Sequence, residues 1–222
     1  MRFTFVVMLL VAACVIDKSV HASSDKEELL IEYSGHGNLT AIQKLIAEGV
    51  DINAQNYINS TALHEAALWG HENVARALIE HGAKVDAETN LKITPLHDAA
   101  YHGRENVARA LIEHGAKVDA EDNNKQTPLH RAAAWGHLNV VRALIEHGAN
   151  VNAEDNEKTT PLHLAAARTA SGSEDIVRAL IEHGAEIDAE DESERTPRKT
   201  AEIWGNTKVA QILKEAEDKP KM

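Results

Sequence analysis

Histidine is the residue type in this chain whose number and spacing suggest chemistry. The chain has 13 histidines in 222 residues, and eight of them fall into two regularly spaced series. The first series is His64, His97, His130 and His163, each preceded by Leu, and the second is His81, His114, His147 and His183, each followed by Gly. Imidazole is a common zinc ligand and general base, so metal binding and catalysis both have to be considered.

The spacing of these histidines argues against both kinds of chemistry. Members of one series are 33 residues apart, or 36 at one step, and on neighbouring helices they would lie ~8–10 Å apart, too far to share a zinc ion. His64-Glu65 begins the zinc-protease pattern His-Glu-x-x-His, but Leu68 occupies the second histidine position. The sequence shows no Gly-rich phosphate loop, no Gly-x-Ser-x-Gly motif and no isolated carboxylate pair on an apolar face. We therefore expect no enzyme activity, no metal and no cofactor.

A structural role accounts for both histidine series. The threonine three residues before each histidine of the first series suits a helix N-cap, and the proline that usually follows it suits the first helical position. The imidazole can then tie this cap to neighbouring backbone. In the second series, the imidazole can meet the last carbonyls of a helix and the negative end of its dipole.

The segments around the histidines form repeated units. TALHEAALWG, TPLHDAAYHG, TPLHRAAAWG and TPLHLAAARTA begin at Thr61, Thr94, Thr127 and Thr160. Each predicts a short helix with a face of small residues, and a second helix such as NVARALIEHG follows it. Segments such as AKVDAEDNNKQ predict extended arms with a turn at the tip. One unit is too small to form its own core, so the units must stack.

The 33-residue period and the Thr-Pro-Leu-His-x-Ala motif resemble those of the ankyrin-repeat family over residues 28–217. The resemblance implies an all-α fold, an ankyrin-repeat solenoid of helix-turn-helix units joined by short β-hairpin-like loops. The units cover residues 28–60, 61–93, 94–126, 127–159, 160–195 and 196–217, the first and last being caps, and residues 218–222 form a polar tail. The longer step to Thr196 places three extra residues in a Ser/Gly-rich loop.

The resemblance also implies a binding surface. Ankyrin domains generally bind proteins through their turn tips and the concave face of their first helices, and the near-identical repeats of this chain differ most at the matching positions. These are Tyr57, Ile58, Leu68, Trp69, Asn90, Leu91, Ile93, Tyr101, His102, Asn123, Asn124, Gln126, Trp135, Asn156 and Glu157. For the aromatic residues two interpretations stay open, an exposed binding strip or packing within the repeats.

One tip position departs from the family pattern. Where the family usually has glycine, two residues before the threonine, this chain has Asn59, Lys92, Lys125, Lys158 and Glu194. If the position still requires a positive φ, these residues are strained, and otherwise the tip has a different shape.

Residues 1–22 have the features of a secretory signal peptide. An apolar run from Phe3 to Ile16 follows Arg2, and small residues precede the expected cleavage after Ala22. We expect a short linker over residues 23–27 and a secreted or cell-envelope protein that is not inserted in the membrane, because the run is shorter than the ~20 residues that span a bilayer.

Two covalent modifications are compatible with this N-terminus and its export. Val11-Ala12-Ala13-Cys14 resembles a bacterial lipobox, so lipidation of Cys14 would give a membrane-tethered scaffold instead. Cys14 is the only cysteine, and cleavage after Ala22 would leave no thiol. In a eukaryotic secretory route, Asn38 and Asn59 would be glycosylation acceptors.

The net charge indicates the type of partner. Removal of residues 1–22 takes two basic and one acidic residue from 23 and 35, leaving 21 against 34, a net charge of −13. Such a surface repels phosphate backbones, so we expect a monomer that binds a neutral or basic protein and no nucleic acid. Two alternatives are a pH-responsive module, since protonation of the remaining twelve histidines would change −13 to −1, and an effector of a host-associated microbe.

Overall fold

The computed structural model describes residues 25–169 and 172–218, and within these ranges the regular elements are helices. Helix α1 covers residues 25–35, followed by α2 Leu39–Ala47, α3 Ala62–Trp69, α4 Glu72–Glu80, α5 Pro95–Tyr101, α6 Glu105–Glu113, α7 Pro128–Trp135, α8 Leu138–Glu146, α9 Pro161–Ala167, α10 Ser173–Glu182, α11 Pro197–Ile203 and α12 Thr207–Glu217. The prediction of an all-α stack of helix-turn-helix units is confirmed.

The helices form two layers with one continuous core between them. Helices α3, α5, α7, α9 and α11 pack side by side in that order, and α2, α4, α6, α8, α10 and α12 form the second layer. Each central unit contributes one fully buried leucine from each layer: Leu63 and Leu78, Leu96 and Leu111, Leu129 and Leu144, and Leu162 and Leu180. Because each unit buries these side chains against its neighbours, the stack is the unit of stability.

The first histidine series closes the N-terminus of each first helix. In α5, the Thr94 N–H donates to His97 Nδ1 at 3.2 Å, and the Thr94 hydroxyl lies 2.9 Å from the same nitrogen. Nδ1 therefore carries no proton, and Nε2–H donates to the Gln126 carbonyl of the next unit at 2.9 Å. His64, His130 and His163 make the equivalent bonds. These neutral imidazoles replace the Glu or Gln of a capping box, which confirms their predicted structural role.

The second histidine series has the predicted role at the opposite helix end. His81 Nδ1 donates to the Ala77 carbonyl at 2.8 Å, in the last turn of α4. His114, His147 and His183 make the same bond in α6, α8 and α10. Each imidazole thus adds a side-chain hydrogen bond to a carbonyl in the last turn of its helix.

The arms between units end in tight turns. Within the described residues the only β pairing is an isolated bridge between Gln55 and Thr61, so the hairpin-like loops contain turns and no extended strand pair. In the central tip, Asp122 Oδ1 accepts from the N–H groups of Asn124 and Gln126 at 2.8 and 2.9 Å. All five positions that lack the family glycine keep a positive φ, between 54° and 61°. The tip shape is retained, and the predicted strain is present.

Replacement of the tip lysines Lys92, Lys125 and Lys158 by glycine is expected to stabilise the protein. A left-handed conformation costs a residue with a Cβ atom ~1–2 kcal/mol, and the greater freedom of glycine in the unfolded chain offsets part of the gain. We expect about 2 kcal/mol for the triple variant, measured by urea denaturation. Lys84→Gly and Lys117→Gly serve as controls, because each removes one lysine charge at an exposed position without a positive φ. Each control substitution should destabilise the protein. If the triple variant is no more stable than the parent chain, the three lysines are not strained.

The N-terminal boundary differs from the predicted one. Residues 25–27, expected to belong to a linker over residues 23–27, are already part of helix α1. Acidic residues suit a first helical turn, and Lys26 Nζ pairs with Glu48 Oε2 at 2.8 Å. The signal peptide with Cys14, part of the predicted loop insertion (residues 170 and 171) and residues 219–222 lie outside the described residues. Among the described helices, none combines the length and apolar character needed to cross a membrane.

Candidate functional site

Large apolar side chains are exposed around the first two tips and at the ends of three first helices, α3, α7 and α11. In the described chain they are Tyr57 at 91% exposure, Leu91 at 62%, Ile203 at 56%, Trp204 at 60%, Trp69 at 56%, Trp135 at 50% and Ile58 at 44%. Five of these seven belong to the predicted partner-binding set, and only Ile203 and Trp204 lie elsewhere, at the end of α11. Single exposed apolar residues are normal, but neighbouring ones define a surface that can exclude water on binding.

A groove lies between the first two tips and the helices behind them. Its volume is about 450 Å³, and it is lined by Ile58, Ser60, Glu65, Leu68, Thr89, Asn90, Leu91, Ile93 and Asp98. We call it the tip groove. Its apolar walls come from both tips and from α3, so it depends on two adjacent units being stacked in register.

A second groove lies beside the first, between α1 and α3. Its volume is about 390 Å³, and its lining residues are Ile31, Glu32, Gly35, His36, Glu65 and Trp69. We call it the Trp69 groove. A Cβ atom placed on Gly35 would lie 3.5 Å from the Trp69 ring, so a larger side chain there would narrow the groove. Glu65 lines both grooves, which makes them neighbouring parts of one surface.

The next aromatic residues along the stack pack against one another. The Tyr101 ring centroid lies 4.5 Å from that of Trp135 and 4.7 Å from that of His102, and Arg131 Cζ lies 5.8 Å from the Tyr101 ring. Tyr101 is half-buried, whereas half of Trp135 remains exposed. Both interpretations of the aromatic residues therefore apply in part: Trp135 rests on its neighbour and still presents a face to solvent.

Several of the predicted tip residues also hold the tips together. The side-chain amides of Asn90, Asn123 and Asn156 lie 3.3–3.4 Å from a backbone oxygen of the preceding tip. Gln126 Nε2 donates to Asp155 Oδ2 at 3.2 Å. Asn124 and Glu157 are exposed.

The two predicted glycosylation acceptors occupy different environments. Asn38 is the N-cap of α2, and its side-chain oxygen accepts from the Ala41 N–H at 3.2 Å. Asn59 is exposed at the first tip. Thr61 of the same sequon is the buried N-cap of α3.

Three carboxylates at equivalent repeat positions form a series that is not among the predicted site residues. Glu32, Glu65 and Asp98 are 33 residues apart, and Glu65 and Asp98 both line the apolar tip groove, so the expectation of no carboxylate pair on an apolar face is wrong. The signal was available, because residues one period apart lie side by side in a stack. The next position in the series is Arg131, which pairs with Asp122 at 2.8 Å.

None of the three carboxylates of this series is in an ion pair within the described residues. Burial raises the pKa of Asp98 to about 7; the Arg131 guanidinium opposes this shift and Glu65 adds to it. A carboxyl group at this pKa is partly protonated near neutral pH, and a cation placed beside it would favour its ionised form.

The stacked helix pairs, with their capped ends and exposed grooves, define a helical repeat solenoid. No group of three or more His, Cys, Asp or Glu side chains in the described ranges is arranged to hold a metal ion. A family model described as ankyrin repeats in three copies matches residues 4–89, 29–122, 84–155, 117–191 and 153–221. The chain therefore belongs to the ankyrin-repeat family, whose members are generally protein–protein interaction modules and typically not catalysts. No curated protein matches the chain.

Proposed function

We propose that this protein is an exported, non-enzymatic interaction module that binds a neutral or basic protein as a monomer. The tip groove, the Trp69 groove and the Tyr101–Trp135 pair form its binding surface, which we call the apolar strip. The observation that carries the proposal is the exposure of Tyr57, Leu91 and Trp69 around two preformed grooves. A few residues, among which Trp and Tyr are over-represented, supply most of the binding energy in protein interfaces.

The opposite side of the stack lacks these features. None of the exposed large apolar side chains in the described residues lies on an even-numbered helix. Charges there neutralise one another: Arg76 pairs with Glu72 at 3.0 Å and with Glu113 of the next unit at 3.1 Å, and Arg109 repeats the pattern. Such paired surface charges contribute little to affinity, which favours the apolar strip as the contact surface.

Export is proposed from residues 1–22 alone. A lipid on Cys14 would place the same strip at a membrane surface, and delivery by a host-associated microbe would place it beside host proteins. Neither alternative changes the chemistry of the binding surface.

A double variant of the strip tests the proposal. Trp69→Ala with Leu91→Ala is expected to weaken binding of the captured partner by about 30-fold or more, because a single hot-spot side chain already contributes ~2 kcal/mol or more. The partner is first captured from extracellular or host fractions with the unmodified chain, and dissociation constants are then measured by calorimetry. Tyr101 is left unchanged because it packs against Trp135.

The matched control is Ile203→Ala with Trp204→Ala, which removes side chains of similar exposure that line neither groove. It should change affinity less than about twofold, and both double variants should melt like the parent chain because exposed substitutions cost little. Loss of binding in the control variant, with the strip variant unaffected, would refute the proposed surface.

A further inference from the structure

The carboxylate series gives the apolar strip a more specific character. Glu32, Glu65 and Asp98 lie on α1, α3 and α5, one period apart, and first helices in contact are ~8–10 Å apart. Each neighbouring pair of carboxylates shares one groove, Glu32 and Glu65 the Trp69 groove and Glu65 and Asp98 the tip groove. Two sites with the same chemistry are therefore repeated along the strip.

Each groove also has apolar side chains in its walls. Ile31 and Trp69 line one groove, and Ile58, Leu68 and Leu91 line the other. Lysine and arginine have this same division, an aliphatic stem that packs on apolar surface and a charged end that pairs with carboxylates. An uncharged apolar side chain would pack against the walls, but it would leave the carboxylates desolvated and without a partner.

We propose that the apolar strip recognises a basic segment of a protein partner that places two Lys or Arg side chains ~8–10 Å apart, one in each groove. One cation lies between Glu32 and Glu65, and the other between Glu65 and Asp98. This inference rests on the proposed function, because it names the chemistry of the partner at the same surface.

Charge along the strip also limits the number of cations. The chain carries a net charge of −12, which attracts a basic partner at long range. The position after Asp98 is Arg131, held by Asp122, and a third cation there would meet a like charge. The strip therefore accepts two basic side chains and gives the partner a direction, with its uncharged or acidic end toward α7.

Random peptides of about a dozen residues, displayed on phage and selected on the full chain, test this inference without a known partner. The enriched peptides should carry at least two basic residues beside apolar ones. One such peptide is then synthesised with a fluorescent label and titrated by fluorescence polarisation. It should bind Glu32→Gln/Glu65→Gln/Asp98→Asn on the order of tenfold or more weakly than the parent chain.

The matched control is Glu88→Gln/Glu121→Gln/Glu154→Gln, which removes three charges with the same 33-residue spacing at exposed positions outside both grooves. It should weaken binding by less than about threefold, since distant exposed charges are screened. Equal losses in both triple variants would mean that only overall charge matters, and would overturn the inference. Thermal melting of both variants checks that they are folded.

The remaining outcomes separate this inference from the proposed function. Enrichment of acidic or uncharged peptides, or of none, overturns the basic specificity. Peptides that bind the carboxylate variant normally but lose binding to Trp69→Ala/Leu91→Ala overturn it as well and leave the strip as the binding surface. Peptides insensitive to both variants bind elsewhere, which overturns both proposals.

Discussion

Acidification from about pH 7 to about pH 4.5 is expected to lower the free energy of unfolding of the Asp98→Asn variant by several kcal/mol. The cause is the first histidine series. Burial lowers the pKa of His64, His130 and His163 and lowers that of His97 to about 4, while hydrogen bonds to backbone carbonyls only partly oppose the shift. His97 Nδ1 accepts the Thr94 N–H, so a proton at that nitrogen would remove the bond that closes the helix.

The sign follows from the pKa difference between the two states. In the unfolded chain histidine titrates near pH 6.5, and in the folded chain His97 titrates near pH 4. The unfolded state therefore binds more protons between these values, and stability that is fully present above pH 6.5 is lost as the pH falls toward 4. His97 alone accounts for about 2.5 kcal/mol at pH 4.5.

The Asp98→Asn background is needed because Asp98 titrates in the same pH range with the opposite sign. Within it, His97→Gln is the informative comparison, since glutamine can accept the Thr94 N–H as in a capping box but does not titrate. Urea denaturation at several pH values should show that His97→Gln loses about 2.5 kcal/mol less on acidification. Identical pH dependence with and without His97→Gln would exclude the buried imidazole as the acid-sensitive group.

The acid response also revises the alternative of a pH-responsive module. Protonation of all the mature histidines as surface charges was the basis of that alternative, but four of them are buried structural groups with lowered pKa values. We expect their protonation to destabilise the whole stack and not to adjust binding gradually. Within the apolar strip, burial raises the pKa of the Asp98 carboxyl group to about 7.

The fold was predictable because period and local motif point to the same structure. The threonine caps, the buried leucines and both histidine series depend on residues a few positions apart, which a reading along the chain compares directly. The linker predicted over residues 23–27 includes three helical residues, 25–27. These residues precede the aligned repeat, and the acidic first turn and the Lys26 ion pair favour the helix there.

The candidate site was predictable only as a set of exposed positions. Whether Lys92 keeps a positive φ depends on the turn that Thr89 closes with its side chain, and the contact between Tyr101 and Trp135 depends on the rotation of one unit relative to the next. Neither is encoded by residue type at one position. The carboxylate series could have been found by comparing equivalent positions of successive units for charge, since Glu32, Glu65 and Asp98 share one register.

Asp98→Asn is expected to raise the free energy of unfolding at pH 8 by about 1–3 kcal/mol and to leave it nearly unchanged at pH 4. The folded pKa of Asp98, about 7, lies above the unfolded value near 4. Its contribution to stability is thus fully present below pH 4 and is lost as the pH rises through 7, where the group ionises in a partly buried site. The pKa difference sets an upper value of about 4 kcal/mol, and the remaining solvent exposure of the side chain reduces it.

The same variant should bind the basic peptide more weakly and without the pH dependence of the parent chain. The charged groups that face Asp98 are Glu65 from α3 and Arg131 from α7. The parent chain should therefore gain affinity between pH 6 and pH 8 as Asp98 ionises, whereas the Asp98→Asn variant should lack the gain that Asp98 supplies. Fluorescence polarisation across this pH range measures the affinity of both chains for the peptide. Glu88→Gln, which removes an exposed carboxylate outside the grooves, is the control variant.

A less stable Asp98→Asn variant at pH 8 would show that the carboxylate serves the fold, and the basic specificity would lose its main support. A more stable variant with weaker, pH-independent binding would show that the carboxylate serves cation recognition and not the fold. A carboxylate that lowers stability where it lies, makes no ion pair within the described residues and lines an apolar groove is not explained by folding. Natural proteins retain such residues where activity requires them. Recognition of a cation by Asp98 then accounts for its presence in the tip groove.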